Sequence, residues 1–437
     1  MQFYRNMNKN IMSYDKPLTA NIDPGREPLN LREYEQAGGY RALRTALLSL
    51  EPANITNLVL DAGLRGCGGA GFPTGKKWNH MALGKDTRHP KYLVVNADEM
   101  EPGTFKDRFL LEGDPHQMIE ATIVSGYAIQ ADIAYIFLRW AYNRAAQRLT
   151  KAIAEAYDKG YLGKNILGSG YSLDIYLHTS AGRYICGESS AMLNAIEGKR
   201  ALPRKDSHAT ASGLWGKPTV VNNVETLCNV PHIVNNGVAW YKGLSITKAG
   251  GTKIYGVSGK VRHPGAWELP MGTSMREILE EHAGGMRAGL KFRALLPGGA
   301  STAFVLEEGL DVSMDFDSLQ ALGSRMGTGT MVILDDKTCP VDMLVSLQRF
   351  FAQESCGWCT PCREGLPWIA KMLVAIDEGA GKTEDLDELA VHAKFLGSGY
   401  TYCALAPGAT ASLESGLKYF KADFERHVHD KHCPWRT

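Results

Sequence analysis

The chain has 437 residues, of which 44% are hydrophobic and 22% charged, and its formal net charge is +1. This length suits two to four domains of ordinary globular composition, and the balanced charge gives no electrostatic case for nucleic-acid binding. No run approaches the roughly 18 apolar residues of a membrane span, so we expect no direct membrane insertion.

The first ten residues lack the apolar core of a signal peptide, so we expect a cytoplasmic protein whose nine cysteines form no structural disulfides. Residues 1–60 are predicted to be an N-terminal extension followed by helices. Three prolines among the first 30 residues break any helix there, and helical periodicity begins at Leu31. Pro52 suits the first turn of the helix that ends near residue 63.

A glycine-rich segment at residues 63–78 contains a G-x-G-x-x-G match at residues 66–71. The match is weak evidence for a dinucleotide-binding fold, because a helix precedes it and Pro73 follows it. Glycines nevertheless let backbone N–H groups approach a phosphate or a flat ring, and Lys77 adds positive charge. A flexible surface loop is the alternative, which the aromatic residues within the segment disfavour.

Strands and helices alternate between residues 91 and 226, which predicts a mostly parallel sheet covered on both faces. The predicted strands are residues 91–96, 134–139 and 173–179, and the predicted helices are 115–130, 143–159 and 191–197.

Polar residues follow these strands at the edge where such sheets bind ligands. Asp98, Glu99 and Glu101 follow the first strand, where a solvated turn is the alternative for any one acid. Residues 181–190 lead from the third strand into a helix, which fits a phosphate or ribose site at the helix N-terminus. Residues 220–226 are typical of a helix cap that faces a phosphate, although a plain N-cap explains them equally well.

The last two parts of the chain differ from the first. Residues 246–336 are predicted to form a small α+β module with strands at 253–259, 292–296 and 330–334 around a helix at 274–283. Residues 337–437 are predicted to form four helices, 341–353, 366–377, 386–395 and 411–427, a bundle that can hold a metal cluster.

Three cysteines recur every third residue, at Cys356, Cys359 and Cys362, and Cys403 lies well downstream. This spacing is typical of a [4Fe–4S] cluster, in which a tight loop supplies three thiolates and a distant residue supplies the fourth. It differs from the two separated ligand pairs usual for zinc. A zinc site, a disulfide or buried free thiols are the alternatives.

Taken together, these motifs resemble the flavoprotein subunit of respiratory complex I, the F subunit of NADH:quinone oxidoreductase, of the bacterial type. The matching segments are residues 66–75, 96–103, 184–188, 221–227 and 354–365, with Cys403. The resemblance covers nearly all of the chain after residue 30. It implies an α/β domain for FMN and NADH at residues 61–245, a ubiquitin-like α+β domain of the soluble-ligand-binding β-grasp type at 246–336, and a four-helix bundle with a [4Fe–4S] cluster at 337–437.

The resemblance also implies an FMN-dependent NADH dehydrogenase, in which a hydride passes from NADH to FMN and single electrons then pass to the cluster. The implied catalytic residues are Glu99, Lys77 and Tyr184. The implied cluster ligands are Cys356, Cys359, Cys362 and Cys403. The implied cofactor-binding residues are Gly66, Gly68, Phe72, Lys77, Asn96, Asp98, Glu99, Glu101, Tyr184, Gly187, Glu188, Ser189, Val221, Asn222, Asn223 and Thr226.

The implied partners are the [2Fe–2S] subunit and the large iron–sulfur subunit of the same complex, and indirectly its membrane subunits and quinone. The chain would then lie peripherally on the cytoplasmic face of the inner membrane. A diaphorase subunit of an NAD-linked hydrogenase or formate dehydrogenase is one alternative. A flavin and cluster relay or scaffold with a degenerate nucleotide site is another.

Three positions depart from the family pattern. Ser189 replaces a second glutamate that faces the adenosine ribose and repels a 2′-phosphate, so we expect NADPH to be accepted as well as NADH, with neutral drift as the alternative. The loop at 202–209 is shortened and lacks the family's aromatic residue, which stacks on adenine. His208 is the candidate to replace that residue. Arg204 and Lys205 are candidates to contact a phosphate. Cys67 replaces an arginine in the glycine loop, and we expect its thiol near the flavin.

Overall fold

Two four-stranded sheets and a C-terminal group of helices organise the chain. The computed structural model describes residues 14–84, 87–205 and 208–436. Within these ranges, no helix is both long and apolar enough to cross a membrane.

Three short helices precede the first sheet, as the periodicity predicted: α1 Leu31–Gln36, α2 Arg41–Ser49 and α3 Pro52–Ala62. Pro52 occupies the first turn of α3, and Gly63 ends this helix with a φ of 73° that favours glycine. A further helix, α4 Thr74–Asn79, begins directly after Pro73. Pro73 therefore precedes a helix at this point as its N-cap.

The first sheet contains β1 Tyr92–Ala97, β2 Ile133–Leu138, β3 Asp174–Thr179 and β4 Thr219–Asn223. Its strands are all parallel, in the order β3-β2-β1-β4. The chain builds outward from β1 to β3 and then returns to place β4 on the other side of β1. The strand order therefore reverses between β1 and β4, where α/β sheets bind ligands beyond the carboxyl ends of their strands.

Helices connect or follow these strands. They are α5 Lys106–Gly113, α6 Pro115–Ala128, α7 Asn143–Asp158, α8 Ser189–Ile196, α9 Ala209–Ser212 and α10 Val224–Gly243. Helix α6 is buried along almost its whole length, which explains why it lacks a polar face. The sequence did not predict the short helices α5 and α9, because eight and four residues are too few to show a helical period.

The second sheet contains β5 Thr252–Gly259, β6 Gly265–Pro270, β7 Phe292–Leu296 and β8 Thr330–Asp335, in the order β6-β5-β8-β7. Its central pair is parallel and its two outer pairs are antiparallel, which is the β-grasp arrangement. The helical elements are α11 Met275–Glu277, continued by one π-helical segment at Ile278–His282, and α12 Phe316–Ala321. The sequence missed β6, a six-residue strand that carries Gly at one end and Pro at the other.

The C-terminal part contains α13 Pro340–Glu354, α14 Thr360–Asp377, α15 Glu384–Leu396, α16 Leu405–Tyr419 and α17 Lys421–Asp430. The helix predicted at 411–427 is wrong, because the helix breaks at Phe420. The ring of Phe420 is buried against Phe304, with a distance of 5.0 Å between ring centroids. This tertiary contact accompanies the break, so the described residues here form five helices rather than four. The predicted order of an α/β sheet domain, an α+β module and a helical bundle is confirmed.

Candidate active site and cluster motif

A cavity of about 410 Å³ lies beyond the carboxyl ends of β1 and β4. This volume falls within the usual range for small-molecule sites, and the position is where the strand order reverses. Every residue that the sequence implied as cofactor-binding lines this cavity. Their individual roles remain predictions. The contacts of each residue, described below, indicate which of its groups are available to a ligand.

The glycine loop covers one wall of the cavity and has no room for side chains there. A Cβ added to Gly68 would lie 3.1 Å from Cβ of Asn223, and one added to Gly71 would lie 2.5 Å from the ring of Phe316. The N–H of Cys67 donates to Oγ1 of Thr226 at 2.8 Å, which fixes the loop against α10. The loop therefore offers bare backbone to a ligand, as a flat ring or a phosphate requires.

Lys77 places a cation in the cavity wall. Its Nζ donates to the backbone oxygen of Val221 at 3.0 Å, and burial lowers the pKa of the amine. An ammonium group has three donor hydrogens, so two remain for a ligand oxygen.

Asp98 is a buried carboxylate with one oxygen in use. Ser180 donates to Oδ1 at 2.8 Å, whereas Oδ2 has no hydrogen-bond partner among the described residues. Burial raises the pKa of this carboxyl to about 6. An unpartnered acceptor in a cavity wall suits a ligand hydroxyl, and the ribityl chain of FMN carries several.

Glu99 has both carboxylate oxygens engaged within the protein. Oε1 accepts from the N–H of Asp107 at 2.9 Å, and Oε2 accepts from the N–H of Arg108 at 3.1 Å and from the hydroxyl of Tyr142 at 2.9 Å. Burial, then the neighbouring charge of Asp107, raises the pKa of Glu99 to about 7. The side chain thus fastens the start of α5 at the cavity wall.

Glu101 and Tyr184 form a hydrogen-bonded pair that also lines the cavity. The Tyr184 hydroxyl donates to Oε2 of Glu101 at 2.6 Å, and the N–H of Ser301 donates to Oε1 at 2.7 Å. Burial and the adjacent carboxylate raise the pKa of Tyr184 well above its ordinary value. Tyr184 therefore stays protonated at neutral pH. Of the three residues predicted as catalytic, only Lys77 has clearly spare donors for a ligand.

Three asparagines and a tryptophan join the ends of β1 and β4 to the segments packed against them. Asn96 Nδ2 donates to the backbone oxygen of Gly187 at 2.9 Å, and Trp78 Nε1 donates to Oδ1 of Asn222 at 2.9 Å. Asn223 is the N-cap of α10 and accepts from the N–H of Glu225 at 3.1 Å. The plain N-cap interpretation of Asn223 thus holds, and the residue also lines the cavity.

The start of α8 is capped by Glu188, whose Oε2 accepts from the N–H of Ala191 at 2.8 Å. Ser189 follows as an exposed residue at the cavity wall. The guanidinium of Arg204, a predicted phosphate contact, is paired with Glu197 at 2.7 Å and donates to Oδ1 of Asn194 at 2.9 Å, so its contact with a phosphate stays a prediction.

In the shortened loop, Lys205 and His208 are exposed. Asp206 and Ser207, which lie between them, are outside the described residues. No contact of Lys205 or His208 with the cavity is seen in the described part of this loop.

The structure adds residues from the β-grasp module that the sequence did not assign to the site. They are Gly298, Ser301, Arg325, Gly327 and Thr328. The hydroxyls of Thr104 and Thr328 lie 2.6 Å apart, which joins the segment after β1 to the module. The glycine-rich turns at 297–300 and 327–329 were the only sequence signal for these residues. The sequence does not show how the module that contains them packs against the first sheet.

A buried ionic network that reaches the cavity wall at Lys106 and Asp107 was also missed. Lys106 Nζ lies 2.6 Å from Asp107 and 3.0 Å from Glu225, and Lys253 Nζ lies 2.6 Å from the same Glu225 oxygen. All four side chains are buried. Buried charges of this kind require pairing, and here they join the start of α5, α10 and β5.

The four predicted cluster cysteines come from two places in the helical bundle. Cys356 and Cys359 lie between α13 and α14, Cys362 is in the first turn of α14, and Cys403 precedes α16. Ser355 Oγ lies 3.2 Å from Sγ of Cys362. Cys403 also lines the cavity, so the two sites are adjacent.

The spacing of these sulfurs favours a cluster over a single ion. All nine cysteines are free, so a disulfide is excluded here. Among the described residues, no three sulfurs of this motif lie within 4.8 Å of one another. The ligand atoms of a tetrahedral zinc site lie closer to one another than the ligand sulfurs of a four-iron cluster do.

The thiol of Cys67, which the sequence predicted near the flavin, is not among the groups that line the cavity. Its sulfur points to the backbone oxygen of Arg65 at 3.5 Å, and the residue is buried outside the cavity lining. Burial raises the pKa of the thiol to about 12. The thiol is therefore neutral and shielded at physiological pH.

The adjacency of the two sites at Cys403 defines the class of protein: an iron–sulfur flavoprotein, with a flavin-sized cavity next to a four-cysteine motif. Family models match three parts of the chain. They are the Nuo51 FMN-binding domain at residues 59–232, the SLBB domain at 254–305 and the NADH-ubiquinone oxidoreductase-F iron–sulfur binding region at 342–427. The chain belongs to the family of NADH-quinone oxidoreductase F subunits.

Similar proteins support this assignment. The NADH-quinone oxidoreductase F subunit of Escherichia coli (strain K12) is 52% identical over 94% of this chain and 93% of its own length. The F 2 subunit of the same enzyme in Rhizobium meliloti (strain 1021) is 50% identical over 97% of this chain and 100% of its own length. A solved NAD⁺-reducing [NiFe]-hydrogenase is 34% identical with a TM-score of 0.77, covering 88% of this chain; the chain spans 63% of the hydrogenase chain.

These findings confirm the resemblance, the predicted FMN and [4Fe–4S] cofactors, and the prediction of an FMN-dependent NADH dehydrogenase subunit. The family is that of a subunit, so the chain acts within a larger assembly.

Proposed function

We propose that this chain is the electron-input subunit of an NADH:quinone oxidoreductase, with NADH and FMN sharing the cavity at β1 and β4. Bound FMN supplies the ability to accept a hydride and return electrons singly. The observation that carries the proposal is that Cys403, a predicted cluster ligand, lines the same cavity as the predicted flavin-binding residues.

The residues of this chain bind and orient rather than exchange protons. The glycine loop presents backbone, Asp98 offers a free acceptor, and Lys77 offers free donors. Phe72 is 47% exposed in the cavity wall, so its ring is available to stack on a nicotinamide or adenine. Because hydride transfer depends on proximity, the paired states of Glu99 and Tyr184 suit positioning roles.

Contacts between the α/β domain and the cysteine loop support electron exit through the cluster. The N–H of Tyr184 donates to Oε2 of Glu354 at 2.9 Å, and Arg200 donates to the backbone oxygen of Cys356 at 3.0 Å. These contacts hold the cysteine loop at the cavity wall, so electrons have a short path between the two cofactors.

We propose that the [2Fe–2S] subunit and the large iron–sulfur subunit are the direct partners, on the cytoplasmic face of the membrane. Support comes from exposed aromatic side chains around the cysteine motif. Trp358 and Tyr402 stack with ring centroids 4.5 Å apart and are 39% and 54% exposed. Trp368 and Phe395 are about half exposed in the adjacent helices. Exposed aromatic residues of this kind are typical of protein interfaces.

The test uses the purified complex with Cys403→Ser. We expect NADH to reduce the flavin of the variant, and a soluble one-electron acceptor to take electrons from it, while quinone reduction is lost. The control is Cys228→Ser, a buried cysteine in α10 that lies outside the cavity lining and should change neither reaction. Retained quinone reduction in Cys403→Ser would overturn the proposed route.

A diaphorase subunit of a hydrogenase is the second candidate, favoured by the likeness to the NAD⁺-reducing hydrogenase chain. The greater identity and nearly full coverage of the NADH-quinone oxidoreductase relatives favour the first. Affinity purification of the tagged chain from its source distinguishes the two. Co-purified subunits that couple NADH oxidation to quinone support the first proposal, and subunits that couple it to hydrogen support the second.

A further inference from the structure

A second group of metal-ligating side chains lies at the far end of the helical bundle. Cys339, Asp377, His427 and Cys433 are all buried, and one ligand atom from each lies within 4.8 Å of every other. Neither the predicted cluster nor the flavin cavity uses them. We propose that these residues bind a structural zinc ion.

The imidazole is oriented as a metal ligand. Nδ1 of His427 lies 2.7 Å from the backbone oxygen of Asp423, and a carbonyl only accepts, so Nδ1 carries the proton. In the neutral ring, Nε2 is then an acceptor that faces the other three side chains. Metal-bound histidines are usually held by such a hydrogen bond from the second ring nitrogen.

One buried acceptor in this group lacks a hydrogen-bond donor within the described part of the chain. Oδ1 of Asp377 is buried and has no hydrogen-bond partner among the described residues. It lies 3.8 Å from Nε2 of His427, and Sγ of Cys339 lies 3.3 Å from the same nitrogen. A cation between these atoms satisfies all of them, whereas a buried unpaired carboxylate oxygen is otherwise unfavourable.

The surroundings supply hydrogen-bond donors to two of these side chains. Cys339 is the N-cap of α13, where its sulfur accepts from the N–H of Asp342 at 3.4 Å. The other carboxylate oxygen of Asp377 is 2.5 Å from Nη2 of Arg436, which offsets the excess negative charge that three anionic ligands leave on a divalent ion.

The ligand set selects zinc. Two sulfurs, one imidazole nitrogen and one carboxylate oxygen are zinc ligands, and four protein ligands in a closed, buried group indicate a structural site. Calcium and magnesium prefer oxygen ligands only.

The site would join four parts of the chain. It connects the start of α13, the end of α14, α17 and the segment after α17 that contains Cys433. The loop with three of the cluster cysteines joins the end of α13 to the start of α14. The proposed ion would join the other two ends of these helices. With 15 residues in α13, the two sites lie roughly 20 Å apart along the helix.

The experiment measures zinc and iron in the holoprotein after purification and passage over a chelating resin. We expect about one zinc ion per chain, lost at least tenfold in Cys433→Ala while iron and flavin stay at their wild-type content. Cys433 belongs to the buried core of the bundle, so unchanged iron and flavin content also shows that the variant folds. The matched control Cys228→Ala removes another buried cysteine and should keep its zinc.

X-ray absorption at the zinc edge of the wild-type holoprotein decides the case even if the variant does not fold. We expect two sulfur ligands at about 2.3 Å and two nitrogen or oxygen ligands at about 2.0–2.2 Å. Absence of zinc, zinc that persists in Cys433→Ala, an all-sulfur shell, or a Cys339–Cys433 disulfide found by mass spectrometry would each overturn the proposal.

Discussion

The backbone N–H of Tyr184 donates a hydrogen bond of 2.9 Å to Oε2 of Glu354, which joins the cavity wall to the last residue of α13. Glu354 is buried and also accepts from Nε of Arg183 at 3.1 Å. The cysteine motif begins two residues later, so this carboxylate links the cavity to the cluster loop.

Glu354→Ala should therefore loosen the cluster loop. It leaves the N–H of Tyr184 without its acceptor, which we expect to cost about 1–3 kcal/mol of unfolding free energy. Denaturant unfolding, together with loss of iron on storage, measures the effect. The control is Glu364→Ala, whose carboxylate is 68% exposed and should change stability by less than about 0.5 kcal/mol. Equal effects in both variants would contradict this role.

Asp98 should make FMN affinity depend on pH. Burial raises the pKa of its carboxyl to about 6, and the ionised carboxylate is a stronger hydrogen-bond acceptor than the neutral acid. A ligand hydroxyl on Oδ2 favours the ionised form, so affinity should fall as pH drops below 6, by about tenfold per pH unit. Because the FMN phosphate also titrates, the measured quantity is the ratio of FMN affinities in wild type and Asp98→Asn. A ratio that is constant between pH 5 and pH 8 would rule out the contact.

Lys77→Met should weaken ligand binding through the loss of a charged donor. Hydrogen bonds to charged groups contribute about 1.5–3 kcal/mol, so we expect the KM for NADH or the Kd for FMN to rise about tenfold or more. Equilibrium fluorescence of the flavin and steady-state kinetics separate the two. Lys76 is the adjacent exposed lysine, and Lys76→Met should leave both constants unchanged. A similar rise in KM or Kd in both variants would contradict a direct contact of Lys77 with the ligand, because it would show that only the net positive charge of this segment matters.

Ser189→Glu should restore discrimination against NADPH. Ser189 is exposed in the first turn of α8, where a carboxylate is favoured by the helix N-terminus and would face a 2′-phosphate. We expect kcat/KM for NADPH to fall about tenfold and that for NADH to be retained or improved, since one such contact is worth about 1–3 kcal/mol. Ser189→Gln adds the same bulk without charge and should do less. If wild type does not oxidise NADPH at all, the substitution of Ser189 is neutral drift.

Much of the cavity was predictable because parallel strands bring their carboxyl ends together. Asn96 lies near the end of β1 and Asn223 at the end of β4, and the register of the two strands places these residues side by side. Lys77 was predicted from its positive charge in a glycine-rich segment, and its hydrogen bond to Val221 places its amine against β4.

The remainder depended on tertiary contacts that leave little local signal. The roles of Ser301 and Thr328 follow from the docking of the β-grasp module, and the pairing of Arg204 with Glu197 follows from the path of the loop after α8. Likewise, Cys339 and Cys433 are 94 residues apart in sequence, and only the packing of α13 against the C-terminal segment brings them together.

The central claim is that NADH reduces a flavin whose electrons leave through the adjacent cluster of the same chain. The most direct measurement is an anaerobic titration of the purified holoprotein with NADH, followed by flavin absorbance and by electron paramagnetic resonance of the cluster. We predict that NADH bleaches the flavin in wild type and in Cys403→Ser, and that the [4Fe–4S] signal develops in wild type alone. Flavin that dithionite reduces but NADH does not would contradict the account.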